Sequence, residues 1–289
     1  MFDAGLSRRR LLTVGAAMAA GYVSAGCGRA SGNDRILEPP LSRTDKGLAP
    51  AKLPLAHGGL SPDAVAAKYA GRKPQQWGTD IPGILTNFDA AGKRFALTFD
   101  ACGGPGNSDI DENLLSLLIA QQLPATLFVN KRWIDANPAR AAQLAANPLF
   151  ELANHGTAHR PLSVNGRAAY EIKGTASAQE AVDEVWGNHE RLTGLVGRAP
   201  RFFRSGTAHY DEFAVAIVQD LGETPVGYSL NADYGATSTA AQVQANMMKA
   251  QPGGISLAHM HRPNSGTGPG MYAALTALKA NGFQFVRLP

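Results

Sequence analysis

From Lys93 to the end of the chain, short β-prone apolar runs alternate with longer runs whose apolar residues recur at helical spacing. The β-prone runs are Arg94–Phe99, Ala125–Val129, Phe150–Ala153, Arg201–Arg204, Val226–Leu230, Gly254–Ala258 and Phe283–Leu288. The helical runs between them are Asp111–Gln122, Pro138–Ala146, Ala178–Leu195, Tyr210–Leu221, Thr239–Ala250 and Gly270–Ala280. Strands separated by helices predict parallel pairing through right-handed crossovers, hence an α/β fold. About 195 residues are slightly few for a complete eight-fold barrel, so the pattern predicts an incomplete or distorted barrel. An open doubly wound sheet is the alternative. Either architecture puts a functional site at the C-terminal ends of the strands.

The first third of the chain reads differently. Residues 28–92 are rich in Pro and Gly with little periodicity, as in Glu38-Pro39-Pro40, Leu53-Pro54-Leu55 and His57-Gly58-Gly59. They predict a tether and an irregular extension with one short helix near Pro62–Ala70, and His57 reads as a solvated loop residue. Residues 1–27 carry Arg8, Arg9 and Arg10 ahead of a short, weakly apolar run from Leu11 to Gly26, too short to span a membrane. This is the pattern of an export signal, and Ser7-Arg8-Arg9 followed by Leu11-Leu12 resembles the bacterial twin-arginine type. Ser24-Ala25-Gly26-Cys27 resembles a lipobox, with Ser24 where Leu or Val is usual, so lipid attachment at Cys27 and simple cleavage both stay open. The expected location is therefore the periplasm or cell envelope, with membrane attachment only through the signal or a lipid.

Composition narrows the partners. The 289 residues are 44% hydrophobic and 17% charged, an ordinary globular balance. Lys+Arg outnumber Asp+Glu by 27 to 23; without the three Arg and one Asp of residues 1–26 the excess is 24 against 22. Such a chain lacks the electrostatic footprint of nucleic-acid binding. Cys27 and Cys102 do not form a disulfide framework.

Chemistry-bearing residues collect where the strands end. The first run closes Thr98-Phe99-Asp100-Ala101-Cys102-Gly103-Gly104; the third leads into His155-Gly156-Thr157-Ala158-His159. The next closes on Arg204-Ser205-Gly206, then come Asn231-Ala232-Asp233-Tyr234 and Leu257-Ala258-His259-Met260-His261. His155 and His159, four apart across a glycine, have a spacing at which two neutral imidazoles can share zinc, although catalytic zinc usually has a third protein ligand. Asp100 can serve as general base on water or cap a turn. His259 can serve as general acid or be a satisfied half-buried histidine, and Arg204 can hold Asp100 ionised. Cys102 with His259 forms a nucleophile–base pair on paper, but it has no basic neighbour to lower its pKa and reads more simply as a small packing residue. The glycines after Cys102 lack the Lys-Ser/Thr of a phosphate-binding loop. His189 and His209 are expected at the surface.

These residues, taken in order, resemble the polysaccharide deacetylases, the NodB-homology or carbohydrate esterase family four proteins, over residues 93–289. Thr98-Phe99-Asp100 resembles the opening of the family's Thr-Phe-Asp-Asp-Gly motif, and His155–His159 its His-Ser/Thr-x-x-His motif. Phe203-Arg204, Asp233-Tyr234 and Leu257-Ala258-His259 resemble the remaining three. The resemblance implies a distorted (β/α)7 barrel and a metal-dependent deacetylase of N-acetylated glycans, with zinc the first candidate. It implies Asp100 as base, His259 as acid, Arg204 as the residue that positions Asp100, and His155 and His159 as metal ligands. It also implies Tyr234 and Leu257 as walls of the acetyl pocket, and a backbone N–H near Thr207 as oxyanion donor.

One departure matters. The family's third metal ligand is the second Asp of its first motif, and here that position is Ala101. Three expectations follow: water fills the position, Asp109 or Asp111 swings in, or no cation is tightly held. On this reading Ala101→Asp strengthens cation binding. The rival functions are a glycan-binding envelope protein of the same fold without activity, which Ala101 favours, and an enzyme for small amides, which the export signal disfavours.

Overall fold

A computed structural model describes residues 60–289, so the signal, the lipobox at Cys27 and His57 lie outside the described residues. Among these residues no helix is long and apolar enough to cross a membrane.

The first predicted strand is two strands. β1 (Arg94–Ala96) pairs with β9 (Gln284–Val286), whereas β2 (Thr98–Ala101) pairs with β3 (Ala125–Val129) and β8 (Ser256–His259). Leu97 is the switch: its N–H donates to Val286 of one sheet and its carbonyl accepts from Thr126 of the other. The main sheet continues from β3 to β4 (Phe150–Asn154), β5 (Phe202–Phe203) and β6 (Thr224–Pro225); on the far side of β8 lies β7 (Leu230–Asn231). All pairings in it are parallel.

Chain connectivity requires this sheet to curl. β6 and β7 form opposite edges in the order β6-β5-β4-β3-β2-β8-β7, yet only residues 226–229 separate them in sequence. Five Cα steps reach at most about 18 Å, whereas the edges of a flat seven-stranded sheet would stand about 29 Å apart. The edges must therefore approach each other, which makes the sheet a distorted, incompletely closed (β/α)7 barrel and excludes the doubly wound alternative. Residues 85–88 lace the seam. Leu85 N–H donates to Pro225, Gly227 N–H to Leu85 and Phe88 N–H to Gly253. This is why the predicted strand Val226–Leu230 does not form: Val226 sinks into an apolar cluster and the following backbone bonds to the extension.

The helices cover the outside of the sheet. α1 (Pro62–Tyr69) is capped by Ser61 and tied to α6 (Glu212–Asp220) by Lys68 and Tyr69, both bonded to the Asp220 carboxylate. α2 (Glu112–Ala120), α4 (Pro138–Ala146), α7 (Ala240–Met247) and α8 (Thr267–Ala280) match predicted runs. α3 (Lys131–Ala136) was not predicted; the Asn130 side chain caps it. α5 (Ala178–Val196) starts at a Ser177 cap and stops at Gly197, which is left-handed at φ 77°. The main apolar cluster fills the space between β2, β3, α2 and α8, and contains Phe99 and Ala101.

Candidate active site

Side chains alternate along β2, and that alternation sorts the chemistry. Phe99 and Ala101 enter the apolar cluster, while Asp100 and Cys102 line a cleft of about 540 Å³. Register then sets the level of the neighbours: Asp100 stands opposite His259 on β8, and Asn154 at the end of β4 stands opposite Phe203, one residue before Arg204. Asp100, His159, Thr207, Tyr234, Leu257 and His259 all line the same cleft. Its volume is that of an ordinary ligand pocket.

Arg204 is fully buried and all its bonds point inward. Nη1 donates to Asp100 Oδ1 at 2.7 Å and to Thr98 Oγ1 at 2.8 Å, and Nη2 to the Gly227 carbonyl at 2.8 Å. The guanidinium lies 4.1 Å from the centre of the Phe128 ring. Its carbonyl accepts from His155 Nδ1 at 2.9 Å. One residue thus holds the carboxylate and sets the tautomer of an imidazole.

His259 is bound from the other side. Its Nδ1 meets Asp233 Oδ1 at 2.8 Å, its backbone N–H donates to Asp233 Oδ2, and Thr267 Oγ1 donates to the same oxygen. Burial disfavours charge on His259, but the Asp233 carboxylate outweighs it and holds the imidazole well above its ordinary pKa. The sequence places Asp233 only in a motif; in the fold it orients the His259 imidazole and favours its charged form.

The loop carrying both candidate ligands is held from beneath. The Asn130 side-chain amide donates to the carbonyls of His155 and Gly156, and Asn154 Oδ1 accepts from the Gly156 N–H. Gly156 has φ 78°, and a Cβ there would collide with the Glu184 carboxylate. His159 itself is left-handed at φ 61°. Gly206 allows the segment after β5 to pass directly against the His159 backbone, where a Cβ has no room. That close approach accounts for glycine in Arg204-Ser205-Gly206-Thr207. Thr207 Oγ1 is buried there without a partner.

Glu184 was missed in the sequence, although it is an acidic residue among Ala181, Val182 and Val185 on the buried face of a helix. Its carboxylate accepts from the N–H groups of Ala158 and Arg160 on either side of His159 at 2.9–3.1 Å. Burial pushes its carboxyl from 4.5 up to about 7, against those bonds. In that window the folded protein holds a proton that the unfolded chain has released, so the Glu184 contribution to stability falls as pH rises from 4.5 to about 7. Glu184→Gln should remove this slope, worth up to about 3 kcal/mol across the window. The buried imidazoles of His155 and His261, held down to about 3 and about 4, slope the opposite way but in both proteins. Urea unfolding of the two proteins at several pH values checks this, and parallel curves would contradict it.

Two sequence expectations need correction. His189 is buried, bonded to Glu223 Oε1 at 2.7 Å and stacked on Trp186, so it belongs to the support under β4 and not to the surface. His209 is half-buried between Trp77 and Tyr170. Residues missed altogether include Arg132, Tyr170 and Tyr228 on the cleft wall; Tyr170 is 75% exposed and Tyr234 61%. Tyr170, Tyr228 and Tyr234 lie in irregular segments and Arg132 in the short helix α3, where periodicity carries little signal.

The donors fit a divalent cation. Burial holds His155 down to about 3 and His159 well below its ordinary value, leaving both as the neutral imidazoles that ligation requires. His155 Nδ1 is already bonded, which frees Nε2, and His159 Nε2 is buried without a partner. The carboxylates proposed as substitutes for the missing third ligand are engaged elsewhere: Asp111 caps α2 through Leu114, and Asp109 is exposed. The third donor beside the imidazoles is Cys102. Its Sγ lies 3.9 Å from His155 Nε2, and ligand atoms of all three residues fall within 4.8 Å of one another. Burial raises the free thiol's pKa.

Comparison with curated proteins gives no match. Among solved structures, the chain is similar to BA3943 of Bacillus anthracis, a CE4 family pseudoenzyme, at 20% identity and TM-score 0.60, covering 72% of this chain and 68% of that one. It is similar to the Bc1960 peptidoglycan N-acetylglucosamine deacetylase at 21% and 0.60, covering 80% and 96%. It is also similar to a family 4 acetyl xylan esterase from Clostridium thermocellum in complex with cobalt, at 22% and 0.55, covering 68% and 88%. These likenesses show the fold. The polysaccharide deacetylase family matches residues 88–226, from the seam through β6, including Asp100, His155, His159 and Arg204. Residues 88–226 thus carry a match to the polysaccharide deacetylase domain.

Proposed function

We propose that the protein hydrolyses the acetamide of an N-acetylated glycan, releasing acetate and a free amine. The observation that carries this reading is the pair of ion pairs facing one cleft: Asp100 with Arg204, and His259 with Asp233. A poor leaving group such as an amine departs only when protonated, and His259 is the imidazole kept charged for that purpose. Asp100, held by Arg204 at one oxygen, accepts the proton of the attacking water at the other. As the water oxygen adds to the carbonyl carbon, backbone N–H groups near Thr207 face the developing oxyanion. The C–N bond then breaks while His259 donates its proton to nitrogen. A divalent cation at His155 and His159 supplies polarisation of the carbonyl and of the water.

Tyr170, Tyr228 and Tyr234 give the cleft aromatic faces suited to the apolar faces of sugar rings, with Leu257 beside them. The reading extends to an exported protein acting in the cell envelope, consistent with Arg8-Arg9 and the residues after them. The second reading, a glycan-binding protein without activity, is favoured by Ala101 and opposed by the intact acid and base. The test is acetate and free-amine release from chitin oligomers and peptidoglycan fragments, with O-acetylated xylan alongside. Matching acetate and amine release from an N-acetylated glycan is expected. Binding without release would establish the second reading, and release from xylan alone would make the protein an esterase.

A further inference from the structure

We propose that the Cys102 thiolate, together with His155 and His159, holds the divalent cation of this site, in place of the carboxylate that the family motif puts at position 101. Three observations converge. Among the described residues, these three form the cluster whose donor atoms lie within 4.8 Å of one another. The imidazole on one side of Cys102 has its other nitrogen fixed by the Arg204 carbonyl, as ligating histidines have. The imidazole on the other side has a buried Nε2 with no partner in the protein. A thiol and two imidazoles, one of them with an orphaned buried nitrogen, make a donor set of the kind that holds a divalent cation.

The alternation of β2 explains how the substitution works. Ala101 is fully buried in the apolar cluster and pairs with Val129 in register, so its side chain belongs to the core layer. The next residue returns to the cleft side, and there the chain carries a sulfur. The pair Ala101-Cys102 in place of Asp-Gly thus moves the third donor one residue along the strand. It also changes the donor from a hard oxygen to a soft sulfur. That change favours zinc or cobalt over magnesium or manganese. On binding, the S–H bond breaks, the sulfur–metal bond forms and the thiol proton leaves to solvent; both imidazoles are already neutral and release none.

The proposal concerns the cation and not the substrate, so its test is optical and independent of acetate release. Metal-free full-length protein is titrated with cobalt(II) alone. A sulfur-to-cobalt charge-transfer band in the near ultraviolet is expected, saturating at one cobalt per chain. Cys102→Ser should abolish the band and weaken binding by at least about tenfold while retaining the circular dichroism of the parent, since one of three protein ligands is lost. Cys27→Ser should leave the band unchanged. Ala101→Asp should not tighten binding, because its carboxylate would enter the apolar cluster. Cobalt bound without a sulfur band, a band that survives Cys102→Ser, or no cobalt binding would each overturn the proposal. So would tighter binding in Ala101→Asp with loss of the sulfur band.

Discussion

Asp100→Asn should lower turnover on an N-acetylated substrate by roughly a hundredfold or more, with KM little changed. The side chain is buried; Arg204 holds Oδ1 at 2.7 Å, and Oδ2 lies 3.6 Å from His155 Nε2. Asparagine keeps the shape and can accept a hydrogen bond, but it cannot take a proton from water. His259→Ala should cost a comparable factor, because the departing amine loses its proton donor while the Asp233–Thr267 bond remains to support the loop. Single-turnover acetate release measures both variants. Near-normal rates in either would remove that residue from the chemistry.

The second large effect is on stability. Arg204→Met keeps the length of the side chain and removes its charge. It strands the buried Asp100 carboxylate and leaves Thr98 Oγ1 and the Gly227 carbonyl without the Arg204 donor. Breaking a buried pair from one side typically costs about 3–5 kcal/mol, because the remaining charge stays desolvated. Urea unfolding should show a loss of that size. Adding Asp100→Asn should return part of it, as contacting residues do in a double-mutant cycle. A single-variant loss below about 1 kcal/mol would mean that water reaches the carboxylate and that Arg204 does not hold it as described.

Much of this was legible along the chain because the signals were periodic or sat at fixed offsets. Alternating strand and helix runs and the order of the strand-end residues are local properties, set by backbone geometry within a few residues. Asp100, His155, His159, Arg204 and His259 could be named because each closes an apolar run, and parallel strands bring such ends to one rim. Glu184 and Asn130 could not, since their partners lie on other elements and only packing brings them together. The buried His189 was misread for the same reason: its partner Glu223 is 34 residues away.

The amino-acid sequence alone pointed to the family, to the parallel α/β architecture and to Asp100 and His259 as the candidate base and acid, because these follow from local pattern and motif order. Tertiary structure decided the rest. The short link between the sheet edges curled the sheet, the extension laced its open seam, and strand alternation sent Ala101 into the core and Cys102 into the cleft. The physical reason is that distance across a fold is fixed by register, twist and packing. A residue's neighbours in the chain determine its element, whereas its neighbours across the sheet determine what its side chain can bind.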